Sequence, residues 1–121
     1  MSASGEVEDQ HAIIQGMKLW LDDIREPPGQ EWTWVKTVEE AKEILRSQEV
    51  SEASLDHDLG EDEPEGRKLV LWMAENDVWP SEELVIHSGN VVGVEYMTGV
   101  VERYGPYRRD WPGGTRFVRQ G

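Results

Sequence analysis

Short apolar segments alternate with amphipathic segments along this chain, and most of the apolar ones stop abruptly at polar residues. Four of them are predicted as strands: Met17–Leu21, Trp32–Val35, Glu52–Leu55 and Glu83–Ile86. Runs of four or five apolar or β-favouring residues are typical of buried strands. Their alternation with helices predicts a parallel sheet covered by helices, which is the arrangement of α/β proteins.

Helical patterns follow the second, third and fourth predicted strands. Thr37 and Glu40 have the spacing of a capping box, so a helix is expected to start there. Two further helices are predicted over 66–76 and 91–104. The segment IREPPGQEW between the first two strands contains two prolines and a glycine, which predicts a loop.

The length of 121 residues is that of one domain. We predict a doubly wound parallel sheet of four to five strands, in the order 2-1-3-4(-5), in three α/β/α layers. The domain is expected to cover 17–105, between a flexible N-terminal segment (1–16) and a basic C-terminal tail (106–121). The tail is expected to contain at most a short strand at 115–118.

Residues that can bind ligands or take part in catalysis follow three of the four predicted strands. They are Asp22 and Asp23 after the first strand, Asp56, His57 and Asp58 after the third, and His87, Ser88, Gly89 and Asn90 after the fourth. In an open parallel sheet, ligands bind outside the carboxyl ends of the strands, near the point where the strand order reverses. The predicted order therefore brings all three clusters to one edge.

Carboxylates that crowd together repel one another and need a counter-charge. A divalent cation with a preference for oxygen ligands, Mg²⁺ or Mn²⁺, would supply it. The candidate metal ligands are Asp22, Asp23, Asp56 and Asp58.

Such a cation would also neutralise the oxygens of a bound phosphate. Ser88, Gly89 and Asn90 are candidates for holding that phosphate. The candidate catalytic residues are Asp56, as a nucleophile or metal ligand, and His87 and His57, as general acid or base.

Charge and composition exclude several classes of protein. The net charge of −13 argues against non-specific binding to nucleic acid, although five arginines in 103–121 form a local basic stretch. The absence of cysteine excludes disulfides and thiolate zinc sites. No apolar run is long enough to span a membrane, and the start lacks the basic region of a signal peptide, so we expect a cytoplasmic protein. The sequence does not identify a protein partner.

An ordered set of motifs carries a resemblance to a known family. The strings LWLDDIR (19–25), SLDHDLG (54–60) and IHSGN (86–90) resemble the cyclic-phosphate-processing receiver domains, a divergent branch of the receiver family. The resemblance covers about 17–105. It implies a flavodoxin-like receiver fold, magnesium at Asp22 and Asp23, a phosphate-accepting position at Asp56, and Ser88 at the end of the fourth strand. It also implies a small nucleotide or a cyclic phosphate as ligand.

One departure from the ordinary receiver pattern affects the functional prediction. Ordinary receivers carry a lysine at the end of a fifth strand, but here no lysine follows Lys68, so an arginine of the tail would have to replace it. This favours metal-assisted hydrolysis or transfer of a cyclic or terminal phosphate on a nucleotide or RNA-derived substrate. The alternatives are a degenerate receiver that is phosphorylated on Asp56 or docks to a partner, and a nucleotide binder without catalysis.

Overall fold

The structure, a computed structural model, describes residues 16–120, so the predicted flexible segment 1–16 lies outside the described residues except for Gly16. The strands are β1 Met17–Leu21, β2 Trp32–Val35, β3 Val50–Leu55, β4 Glu83–Ile86, β5 Tyr107–Arg109 and β6 Arg116–Arg119. The helices are α1 Val38–Ser47, α2 Gly66–Asn76 and α3 Val91–Tyr104. The capping box of Thr37 and Glu40 at the start of α1 is confirmed.

The six strands form one sheet in the order β2-β1-β3-β4-β6-β5. The first four are parallel, which confirms the predicted core order 2-1-3-4. β3 starts at Val50, two residues before the predicted strand, because Met17 of β1 pairs with Val50. The carboxyl ends of β1, β3 and β4 therefore lie side by side.

The chain after α3 differs most from the expectation. Instead of a tail with one short strand, it forms an antiparallel hairpin, β5 and β6, and β6 pairs with β4. Gly113, with φ of +77°, lies in the Pro112-Gly113-Gly114 turn and lets the chain reverse direction. The predicted basic tail thus contributes two strands to the sheet, and the strand expected at 115–118 is Arg116–Arg119.

One face of the sheet packs against the helices. Leu19, Leu21, Leu55 and Leu84 on this face are completely buried. The helices contact one another in chain order, α1 with α2 and α2 with α3. This is expected when successive right-handed crossovers run in the same direction across a sheet, because their helices then lie on one face. This layer places the start of α3 directly behind the carboxyl end of β4.

The opposite face of the sheet carries charged side chains together with the tryptophans of β1 and β2. Cross-strand ion pairs join Lys18 to Glu52 (3.8 Å) and Glu83 to Arg116 (2.8 Å). Within residues 16–120 no helix covers this face, because a Pro-rich loop joins β1 to β2 where a crossover helix would lie. The described part of the chain therefore forms two of the three predicted layers. None of its helices is both long enough and apolar enough to cross a membrane.

Candidate functional site

The carboxyl ends of β1, β3 and β4 border an open cleft of about 470 Å³. Ten residues line the cleft: Asp22, Asp23, Ile24, Arg25, Asp56, Asp58, Gly60, Ser88, Gly89 and Asn90. Seven of the nine predicted site residues line the cleft, whereas His57 and His87 lie behind its wall.

 The other three lining residues are Ile24, Arg25 and Gly60, and none of them was among the predicted site residues.

Three carboxylates meet at the floor of the cleft. Asp22, Asp23 and Asp56 each offer one oxygen, and these oxygens lie within 4.8 Å of one another. Oxygen ligands at this spacing, two of them on neighbouring residues of one loop, suit a hard divalent cation. The arrangement therefore fits the Mg²⁺ or Mn²⁺ expected from the sequence.

Asp22 is the most firmly held of the three. It is buried, its Oδ1 accepts hydrogen bonds from the backbone N–H groups of Ile24 (2.9 Å) and Arg25 (2.7 Å), and its Oδ2 lies 2.9 Å from His87 Nε2. Burial alone would raise the pKa of Asp22, but these hydrogen bonds hold it below its ordinary value. The carboxylate is therefore charged and fixed in direction.

Two tryptophans fix the loop that follows β1. The indole N–H of Trp20 donates to the carbonyl of Arg25 (2.8 Å), and that of Trp34 donates to the carbonyl of Asp22 (2.7 Å). Trp20 and Trp34 are partners in the register of β1 and β2. They orient the backbone that carries the first two carboxylates.

Asp56, at the end of β3, is in a less favourable setting for a charge. Burial raises its pKa, and the nearby charge of Asp22 adds to this effect. Hydrogen bonds from the Ser88 side chain and from the His57 backbone N–H (2.8 Å) oppose the rise without cancelling it. A bound cation would remove this strain, since an opposite charge favours the ionised carboxylate.

His87 lies behind the cleft, between Ser54 and Asp22. Its Nδ1 is 2.7 Å from Ser54 Oγ, and its ring stacks on Trp20 with centroids 4.1 Å apart. Burial lowers the pKa of His87 despite the neighbouring Asp22, so the neutral ring is favoured. In that state Nε2–H donates to Asp22 and Nδ1 accepts from Ser54, which leaves neither nitrogen free to meet a substrate.

His57 belongs to a second cluster on the α3 side of the cleft. The ring is buried, and its Nδ1 lies 2.7 Å from Asp58 Oδ1. Asn90 caps α3 by accepting from Gly93 N–H (2.9 Å) while its amide donates to Asp58 (3.2 Å). These bonds lower the pKa of Asp58, with the His57 contact the larger cause.

The second cluster also separates Asp58 from the other predicted metal ligands. His57, Asp58 and Glu65 form a second group of three side chains, with ligand atoms within 4.8 Å of one another, whereas the group at the cleft floor does not include Asp58. His57 packs directly under α3, because a Cβ at Gly93 would collide with its ring. Only glycine lets the helix approach this closely.

The positive charge that lines the cleft comes from Arg25, not from the tail arginine that would have to replace the lysine of ordinary receivers. In the hairpin, Arg116 pairs with Glu83 (2.8 Å) and Asp110 (2.7 Å), and Arg109 lies 3.3 Å from Glu102. None of these arginines lines the cleft. The sequence feature that could have indicated Arg25 is its position in the loop that follows Asp22 and Asp23.

The comparison with protein families matches residues 17–103 to the cyclic-phosphate processing receiver domain. The chain belongs to this family. The match ends before the hairpin, so the receiver domain of the family corresponds to β1 through α3, and β5 and β6 extend its sheet. No matching relative was found among curated proteins or among solved structures.

Proposed function

We propose that this receiver domain carries out metal-assisted hydrolysis or transfer of a cyclic or terminal phosphate on a nucleotide or RNA-derived substrate. The observation that carries the proposal is the meeting of three carboxylate oxygens, from Asp22, Asp23 and Asp56, within 4.8 Å at the floor of an open cleft. Membership of a family named for cyclic-phosphate processing supports the phosphate as the reacting group.

The three floor carboxylates are the proposed ligands of Mg²⁺ or Mn²⁺. A bound divalent cation supplies charge neutralisation at phosphate oxygens and a more acidic water. Asp22 is held in place by its backbone hydrogen bonds, and Asp56 is held by the His57 backbone N–H. In this proposal Asp58 orients His57 instead of binding the cation.

The proposed phosphate site consists of Arg25, Ser88 and Gly89, which line the same cleft. Arg25 offers a positive charge, Ser88 offers a hydroxyl, and a Cβ added at Gly89 would meet nothing within 4 Å, so a phosphate oxygen could approach its backbone. Hydrolysis of a cyclic phosphodiester forms one phosphorus–oxygen bond to water and breaks one ester bond of the ring. The proton lost by water ends on the released hydroxyl.

The existing contacts of the two histidines restrict the predicted roles of His87 and His57 as general acid or base. His87 reaches the cleft through Asp22 alone, so proton transfer by its ring requires the bond to Asp22 or to Ser54 to open. His57 Nε2 lies 4.0 Å from Glu65 and borders a side pocket next to the cleft. We therefore assign His87 first to positioning Asp22.

The deciding experiment is calorimetric titration of Mn²⁺ and Mg²⁺ into wild type and Asp56→Asn, followed by turnover assays with cyclic phosphates and the better metal. We expect binding and product formation with wild type, and loss of both in Asp56→Asn. His87→Ala should also lose turnover while remaining folded. Glu75→Gln, an exposed acid at the far end of α2, is the matched control and should behave as wild type.

Three results would count against the proposal in different ways. Turnover that is unchanged in both Asp56→Asn and His87→Ala would exclude this site. Metal and nucleotide binding without product would identify a nucleotide binder. Absence of both binding and product would point to a docking module.

A degenerate receiver that accepts a phosphoryl group is the second candidate. The observation that favours it is the position of Asp56 at the end of β3, beside the acidic pair and within hydrogen-bonding reach of Ser88. No lysine lines the cleft, which argues against it. A gain in mass of one phosphoryl group from a small phosphodonor, lost in Asp56→Asn and without repeated turnover, would support this candidate instead.

A further inference from the structure

A second groove of about 400 Å³ adjoins the cleft, between the start of α3 and the hairpin. Val91, Val94 and Thr115 line it, and Val91 is 70% exposed although it is apolar. We propose that this groove holds the base of a mononucleotide whose phosphate occupies the cleft, and that Glu95 makes guanine the preferred base. The inference rests on the proposed function, since it extends the same site.

The two cavities share one lining residue. Ser88 lines both the acidic cleft and the groove. The groove is therefore the neighbouring cavity that an ester substituent on a phosphate held by Ser88 could enter. The groove lies within the volume range of small-molecule sites, roughly 300–1,000 Å³, and it combines apolar walls with few polar groups, as such sites do.

The side pocket on the other side of the cleft is a poorer place for a base. It contains Glu65, Arg67 and Tyr96, which already satisfy one another. Glu65 Oε1 accepts from Arg67 Nε at 2.7 Å, and the Arg67 guanidinium covers the Tyr96 ring at 5.7 Å. A base entering there would have to displace both contacts, whereas the groove needs no contact to break.

The polar groups of the groove suggest which base it accepts. Glu95 lines the groove, and no ion pair within residues 16–120 engages its carboxylate, in contrast to Glu102 on the same helix. A carboxylate accepts two parallel N–H bonds, and guanine presents two adjacent donors on its Watson–Crick edge. Adenine, cytosine and uracil lack this pair, so the expected order places guanine first.

The experiment compares three probes in the presence of Mn²⁺: guanosine 2′,3′-cyclic phosphate, uridine 2′,3′-cyclic phosphate and ethylene glycol cyclic phosphate, which has no base. Calorimetry measures their affinities for wild type, Glu95→Gln, Thr115→Phe and the control Glu75→Gln. We expect wild type to bind the guanosine ligand at least tenfold more tightly than the other two. Glu95→Gln should reduce the guanosine-to-uridine ratio about tenfold, and Glu75→Gln should preserve it.

Thr115→Phe fills the groove and should bring both nucleosides to the affinity of the base-free probe. Equal affinities of wild type for all three probes would overturn the groove as a base site while leaving the proposed function intact. Guanosine preference that survives both Glu95→Gln and Thr115→Phe would also overturn it. If Mn²⁺ and all three probes fail to bind, the proposed function itself is wrong, and the base site is rejected with it.

Discussion

His87 Nε2 lies 2.9 Å from Asp22 Oδ2, so a histidine that follows β4 fixes a carboxylate that follows β1, across the end of β3. The opposite edge of the same ring meets Ser54, and its face meets Trp20. Three neighbouring strands are thereby joined through one side chain. The geometry is that of a positioning residue behind a metal ligand.

His87→Phe should weaken metal binding without unfolding the domain. Phenylalanine can keep the stacking on Trp20, but it cannot donate to Asp22. Loss of such supporting contacts typically costs ten- to a hundredfold in metal affinity. Calorimetric titration with Mn²⁺ measures the effect, and near-ultraviolet circular dichroism of the tryptophans checks the fold. Wild-type Mn²⁺ affinity in a folded His87→Phe would show that His87 does not position Asp22.

Asp22→Ala should destabilise the protein, and more so at neutral pH than in acid. The pKa of Asp22 is below its ordinary value of 3.8, so the charged form stabilises the fold above that pH, and this contribution is lost as pH falls through the lowered pKa. Removing the acceptor of two backbone N–H groups should cost about 2 kcal/mol at pH 7. Urea unfolding at pH 7 and pH 3 measures the difference, and an equal loss at both would contradict it.

Asp56→Asn should stabilise the metal-free protein, in contrast to Asp22→Ala. The pKa of Asp56 is raised, so its contribution to stability is greatest below the ordinary pKa and is lost as pH rises through the raised value. The neutral amide avoids this loss, so the melting temperature at pH 7 should rise, by about 4 °C for each 1 kcal/mol of stability recovered. Thermal unfolding with chelator present measures it. The gain should disappear in acid. A lower melting temperature of Asp56→Asn than of wild type at pH 7 would show that the charge of Asp56 does not destabilise the metal-free protein.

Two glycines of α3 provide a matched pair. A Cβ at Gly93 would collide with the His57 ring, whereas nothing lies within 4 Å of a Cβ at Gly99. Gly93→Ala should therefore destabilise the protein by about 1–3 kcal/mol, as overpacking usually does. Gly99→Ala should stabilise it by about 0.5–1 kcal/mol, because alanine is the better helix former. Urea midpoints for both variants test the packing of α3 on His57, and equal effects would exclude it.

The parallel core and the meeting of the strand ends were predictable from the sequence, because each depends on a local pattern. A short apolar run that ends in Asp22, Asp56 or His87 marks a strand end without knowledge of its neighbours. Strand order then follows from the handedness of crossovers. The helix starting after Thr37 was predictable for the same reason, since its cap lies within four residues.

Contacts between distant residues were not predictable in this way. The link from Ser54 to His87 spans 33 residues and requires the register of β3 and β4. The hairpin was missed because its strands are short, rich in arginine and separated by a Pro-Gly turn, a pattern that indicates a loop. Arg25 was missed because only the folded loop shows that its side chain borders the cleft.

The hairpin also limits how far the cleft can move. Its Thr115 carbonyl accepts from the Ile86 N–H (2.9 Å), while His87 N–H donates to Leu55 of β3 (2.8 Å). The end of β4 is thus anchored from both neighbouring strands immediately before Ser88. A signalling switch needs an element with two alternative packings, and a segment tied on both sides offers little room for a second. Such stiffness suits a preorganised cradle, in which a reacting group is met by dipoles and charges that are already in place.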